Sequence, residues 1–262
     1  MASAPANNLP MLYKDLMPLN SRDHATWRAR PAEKAPWLAG MHAVPLTVEE
    51  FPQAQRHFPI IFAAGDNPVP LALMGLNEGV NVFIGEDGAV TQEGVYIPAY
   101  ARRYPFLLAK LNPSSDDLSL CFDPSCNLIG EFEDGEPLFT DGEPSEVTKG
   151  ALQFCENFEQ AGMRTQQFIE DITKHDLLMD GEVSIQQPGV EQPFVYRGFK
   201  MINQEKLRDM RGDLLRTWAQ NGLLPLLYAH IFSLDLMSTI FGMQQQQGKG
   251  PSAAAANAPI EA

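Results

Sequence analysis

Over one stretch of this chain, apolar residues return at three- and four-residue steps for turn after turn: Val147, Ala151, Phe154, Phe158, Ala161, Thr165, Phe168 and Ile172. That spacing predicts a single amphipathic helix of about seven turns, because residues three and four apart share a helix face. Ser145, just ahead of it, can accept from the exposed amides of a helix start, and Glu146 complements the positive end of the helix dipole. A helix of this kind cannot bury a row of Phe side chains alone. The rest of the chain must provide a covering layer.

Short apolar runs cut by Gly, Pro and Asp predict that layer as strands: PIIFAAG (59–65), PLALMGL (70–76), NVFIG (81–85) and LSLCFD (118–123). Asp87-Gly88 lies between NVFIG and AVTQEGVYIP and suits a tight hairpin, so an antiparallel meander is expected there. After the long helix come a second β piece, EVSIQQPG with EQPFVYRGFKMIN (182–203), and a helix opened by Asn203. A last helix is expected from Asp213, broken or capped near Asn221-Gly222 and Pro225. The predicted class is α+β: an antiparallel, β-rich N-terminal part packed with a C-terminal set of helices. The expected boundaries are a disordered lead-in over 1–20, one domain over 21–243, and a low-complexity tail over 244–262.

Of the 262 residues, 44% are apolar and 9% aromatic, enough for a real core. With 19 Lys and Arg against 33 Asp and Glu, the formal charge of −14 argues against a nucleic-acid partner, whose phosphates need clustered cations. Three cysteines (Cys121, Cys126, Cys155) do not make a disulfide framework, and free thiols are expected. The N-terminus carries no basic stretch followed by an apolar run, so no secretory signal is read and a cytoplasmic location is expected, with signal-independent export left open. The apolar stretch from Gly222 to Met243 is interrupted by Pro225, His230, Ser233, Asp235 and Ser238, so no transmembrane span is expected. Oligomeric state is not legible.

No phosphate-loop, dinucleotide, zinc-protease or nucleophile-elbow motif is present, so no catalytic residue and no cofactor is assigned. Cys121 and Cys126 lack downstream partners at ligand spacing, so no metal site is expected there. Ten acidic residues fall between Pro113 and Glu146 with no Lys or Arg among them; a solvated acidic face is expected, and calcium is the alternative. The sequence places Arg102 and Arg103 between Tyr100 and Tyr104. Two readings stand: internal salt bridges to that acidic segment, or a planar fork that grips a carboxylate on a ligand or partner. His230, on an apolar helix face, is read as a hydrogen-bonded core residue. A competing reading joins Tyr100, Arg102, Arg103, Tyr104 and His230 in one small-molecule or catalytic pocket.

Several segments resemble the bacterial SapC-like family: PLNSRDHATWRARPA (18–32), HAVPLTVEEFPQAQRHFPIIF (42–62), VPLALMGLNEGVNVFI (69–84), YIPAYARRYPFLLA (96–109), DGEPSE (141–146) and NGLLPLLYAHIFSL (221–234). The Tyr-flanked arginine pair followed by Tyr-Pro-Phe is the most specific of them. The resemblance implies a surface-layer association, with envelope or surface-layer components as protein partners. It supplies no catalytic motif, so a non-enzymatic accessory interaction protein is the expected function.

Overall fold

The computed structural model describes residues 9–111, 117–187, 189 and 192–250. Its helices are α1 (Phe51–Ala54), α2 (Ala99–Arg103), α3 (Glu146–Lys174), α4 (Gln204–Arg208), α5 (Gly212–Gln220), α6 (Leu223–Ser233) and α7 (Leu236–Gln246). Every strand pair among the described residues is antiparallel, and the fold class is α+β. The chain forms two compact units. The first takes the N-terminal residues to Glu33 and Tyr100–Gln160; the second takes Lys34–Ala99 and the residues from Ala161 onward.

In the first unit, strand Leu118–Phe122 pairs on one side with Phe106–Lys110 and on the other with Met17–Pro18. A second small sheet sets Arg28–Ala29 between Ile129–Gly130 and Glu136–Pro137. Phe122, Ile129, Leu138 and Phe139 form the core, with Trp27 and Phe106 against it. The first half of α3 belongs here, and its start is capped as the sequence suggests, Ser145 Oγ accepting from the Thr148 amide at 3.4 Å.

The structure differs from a disordered lead-in over residues 9–20. Tyr13 is buried and its hydroxyl donates to the Phe106 carbonyl at 2.7 Å, while the Lys14 amide donates to Asp123 at 2.7 Å. The cause is the open edge of strand Leu118–Phe122, whose backbone groups need a partner and find it at Met17 and Pro18. Residues 1–8 of the expected lead-in lie outside the described residues, as do 251–262 of the expected tail and Pro113–Asp116 of the acidic segment.

The second unit holds a five-stranded sheet in the order Leu178–Asp180, Phe199–Ile202, Ile60–Ala63, Pro70–Leu73, Ala43–Pro45. Its centre is apolar throughout, Ile60, Ile61, Phe62, Ala72 and Leu73 being fully buried. Phe62 and Phe51 pack against Phe168 from the second half of α3. A meander through NVFIG does not form. The Asn81 side chain instead accepts from the Phe83 and Ile84 amides and donates to the Leu38 and Met41 carbonyls, folding the segment into an Asx turn. Only one bridge, Ile84 to Val90, flanks the Asp87-Gly88 turn, where Gly88 takes a φ of 82°. The other helix signals hold: Asn203 caps α4 by accepting from the Lys206 amide at 3.0 Å, and Gly222, at φ 84°, divides α5 from α6.

Leu223–Gln246 is long and apolar enough, by length and composition, to cross a membrane. In the fold it divides at Leu234–Asp235, and its buried face carries bonded polar groups. Ser233 Oγ accepts from the Ile60 amide at 2.8 Å and donates to the His230 carbonyl. Gln244, expected in an idle tail, is fully buried, because its amide group answers exposed backbone: it accepts from the Leu76 amide at 2.6 Å and donates to Asn77 and to the Lys249 carbonyl. Replacing it strands a buried donor on Leu76. Gln244→Ala is expected to cost about 1–3 kcal/mol in urea denaturation, whereas Gln246→Ala, two residues on and exposed, leaves the midpoint unchanged.

Candidate functional site

Tyr100, Arg102, Arg103 and Tyr104 leave α2 and lead through Pro105 into strand Phe106–Lys110, so a short helix and a strand fix the backbone of the arginine pair. The two arginines face different surroundings. Arg102 is exposed, with its guanidinium carbon 5.3 Å from the centre of the Phe154 ring. The Arg103 side chain is only 6% exposed, and its guanidinium carbon lies 4.4 Å from the Phe158 ring centre, 4.9 Å from Tyr100 and 5.7 Å from Tyr13. Three aromatic rings thus surround a buried cation, an arrangement that ring quadrupoles favour.

Its anion is Glu159, on α3, not the acidic segment to which a salt bridge was expected from sequence. Glu159 reaches Nη1 at 3.5 Å, at the outer limit of a hydrogen bond, and Nε has no hydrogen-bond partner at all. An unfilled donor on a buried charge is costly and calls for an acceptor. Tyr13 and Tyr100 do not supply that acceptor by ionising. Their hydroxyls donate to the Phe106 and Met11 carbonyls, and burial holds both phenols above the usual tyrosine range despite the neighbouring guanidinium.

Beside the pair lies a cavity of about 590 Å³, within the size range of small-molecule pockets. Arg30, Arg102, Arg103 and Glu136 contribute its charges, and most of the remaining wall is apolar, including Phe106, Leu128, Val147, Ala151 and Phe154. Arg30 is bound to Asp134 at 2.5 Å and stacks on Phe132. Cys155 also lines the cavity, but burial pushes its thiol up to about 12, so it stays protonated at neutral pH. Tyr104 lines the cavity, and burial raises its phenol as well; Tyr100 belongs to the cage around Arg103.

His230 is not among these lining residues. It lies in the second unit, fully buried on α6. Its Nε2 accepts from the Ile202 amide at 3.1 Å, which leaves the proton on Nδ1, and Nδ1 donates to the Ile60 carbonyl at 2.8 Å. Burial lowers its pKa from 6.5 to about 4. The second unit has a cavity of its own, about 430 Å³, but the arginine in its wall, Arg164, is paired with Glu49. Among the described residues no group of three or more His, Cys, Asp or Glu side chains comes together to hold a metal ion, and the three cysteines are free.

Sequence reasoning singled out the arginine pair but not Glu159, which is 56 residues away in the chain and lies one position beyond Phe158 of the stripe. The apolar wall was visible only as part of that stripe. The model of one protein family, described as SapC, matches residues 19–240, and the chain belongs to that family. No curated protein and no solved structure matches it.

Two outcomes follow from this geometry. Arg103→Lys removes the planar fork from the cage and is expected to lower stability by about 1–3 kcal/mol, while Arg102→Lys on the exposed side leaves the melting temperature in place. For His230, the folded state binds a proton less readily than the unfolded chain. Its contribution is therefore complete above pH 6.5 and is lost as pH falls toward about 4, a span worth about 3 kcal/mol. Measured stability from pH 6.5 down to 4 is expected to fall more steeply in the native protein than in His230→Asn.

Proposed function

We propose that this SapC-family chain works by binding, not catalysis, as a surface-layer-associated or accessory interaction protein. One observation carries the reading: a mostly apolar cavity of about 590 Å³ has Arg30, Arg102 and Arg103 among its lining residues. General acid–base and nucleophilic chemistry needs a group that exchanges a proton near neutral pH. Of the groups around this cavity, the guanidinium holds its proton by nature, and the Tyr104 phenol and the Cys155 thiol hold theirs by burial. Such a site grips an acceptor; it does not activate one. A catalytic pocket that joins Tyr100, Arg102, Arg103 and Tyr104 with His230 has less support, since both nitrogens of His230 are engaged by backbone groups.

On this reading the partner is an envelope or surface-layer component. Separating cells into cytosol, envelope and medium tests the location. The chain is expected to follow the envelope in clear excess over a soluble cytosolic marker. Recovery wholly with that marker would remove the surface-layer role and leave the binding site standing.

A further inference from the structure

Independently of the cavity in the first unit, we infer that the outer face of α6 docks on the surface of an anionic lipid bilayer, lying along it and not crossing it. The sequence of α6, LLPLLYAHIFS, contains no Asp, Glu, Lys or Arg. Its buried side carries Leu223, Leu227 and His230, yet the opposite side is just as apolar: Leu224, Pro225, Tyr228, Ile231 and Phe232. Phe232 is 64% exposed and Tyr228 is 42% exposed, and their ring centres lie 5.7 Å apart. Two neighbouring rings left in water on a helix face without charge mark a contact surface.

The distribution of charge selects the partner. Between residues 192 and 250 seven Lys and Arg stand against four Asp and Glu, a balance of +3, while the remainder of the chain holds 12 against 29, a balance of −17. Arg208 on α4 and Arg216 on α5, the helices that lead into α6, are exposed and form no ion pair among the described residues, whereas Arg197, Lys206 and Arg211 are paired with carboxylates. Exposed cations close in sequence to an apolar, aromatic helix face suit an anionic bilayer, whose headgroups meet the cations while the rings enter the acyl boundary. A second copy fits less well, because a two-fold contact through α6 would bring the same cations together. A folded protein partner would call for roughly one hydrogen bond per 100–200 Å². On this face only the Tyr228 hydroxyl offers one. Crossing the bilayer is ruled out by the inward side of the same helix, where His230 and Ser233 are bonded to the backbone of Ile60 and Ile202.

Vesicle sedimentation of the full chain tests this, with vesicles of phosphatidylglycerol and phosphatidylcholine in equal parts set against phosphatidylcholine alone. Partitioning onto the anionic vesicles is expected to be roughly tenfold or more stronger, as two free cations near the surface provide, and to weaken as salt is raised. Phe232→Ser, at an exposed position, is expected to leave the melting temperature in place and to weaken partitioning roughly tenfold. Arg208→Gln combined with Arg216→Gln is expected to remove the preference for the anionic vesicles; it leaves the face of α6 intact and decides the matter if the serine variant does not fold. Equal partitioning of the native chain onto the two vesicle types, or undiminished partitioning of a folded Phe232→Ser, overturns the inference. So does a dimer in sedimentation velocity without vesicles that Phe232→Ser dissolves, which gives the face to a second copy. A chain that follows the envelope in cells but binds neither vesicle overturns this inference and leaves the surface-layer reading standing, whereas vesicle binding with recovery wholly in the cytosol does the reverse.

Discussion

A helix of 29 residues with an apolar stripe along its length must be covered from one end to the other, and that requirement organises the chain. The two compact units each answer for their own half of α3. In the first, Thr148 and Cys155 are buried; in the second, Ala161, Thr165, Phe168, Ile169 and Ile172 are. The two threonines show how the stripe serves each unit's backbone as well as its core. Thr148 Oγ1 donates to the Leu138 carbonyl, and Thr165 Oγ1 accepts from the Val48 amide while donating to the Ala161 carbonyl of its own helix. A hydroxyl on an otherwise apolar face is tolerated because each has a buried partner. Between them Phe154 and Phe158 are only half-buried, and there the stripe turns from core into the wall of a cavity and the lid of a cation cage.

That local change explains why the arginine pair divides its labour. Adjacent residues on a short helix point in different directions, so Arg103 goes under the rings and Arg102 stays outside. Burying a guanidinium is unfavourable unless its donors are met, and here the rings and Glu159 meet them only in part. The first unit therefore carries a residual demand for an acceptor in a place shielded from water. A protein selected for stability alone would more simply place an apolar side chain there.

Much of the fold was legible because its signals are local. Ser145 and Asn203 announce helix starts through hydrogen bonds within three residues, Gly222 marks a break by its backbone freedom, and the runs at 59–65, 70–76 and 118–123 contain strands. What escaped notice depends on distant partners. Asn81 forms an Asx turn where the apolar pattern suggests a strand, because its side chain finds carbonyls at Leu38 and Met41, some 40 residues away. The sheet of the second unit places Phe199–Ile202 beside Ile60–Ala63, an order no local pattern contains. Gln244, one of four consecutive glutamines, looks like low complexity until the Leu76 amide is placed against it. The candidate site follows the same rule: the arginine pair stands out by composition, and its cage and cavity walls come from residues tens of positions away.

The imidazole of His230 has a consequence for how the strands can pair. Phe199 lies opposite Ala63 and Lys200 opposite Phe62, so extending the alignment puts Ile202 opposite Ile60. At that position the ladder's own bond is replaced by the ring, which takes the Ile202 amide on one nitrogen and gives a proton to the Ile60 carbonyl from the other. The side chain acts as a surrogate peptide group spliced between two strands. A slip of one residue would leave both nitrogens and two buried backbone groups unmatched at once. One helical residue thereby fixes the alignment of strands that lie about 140 positions apart in sequence, a task that a hairpin turn performs only for neighbours.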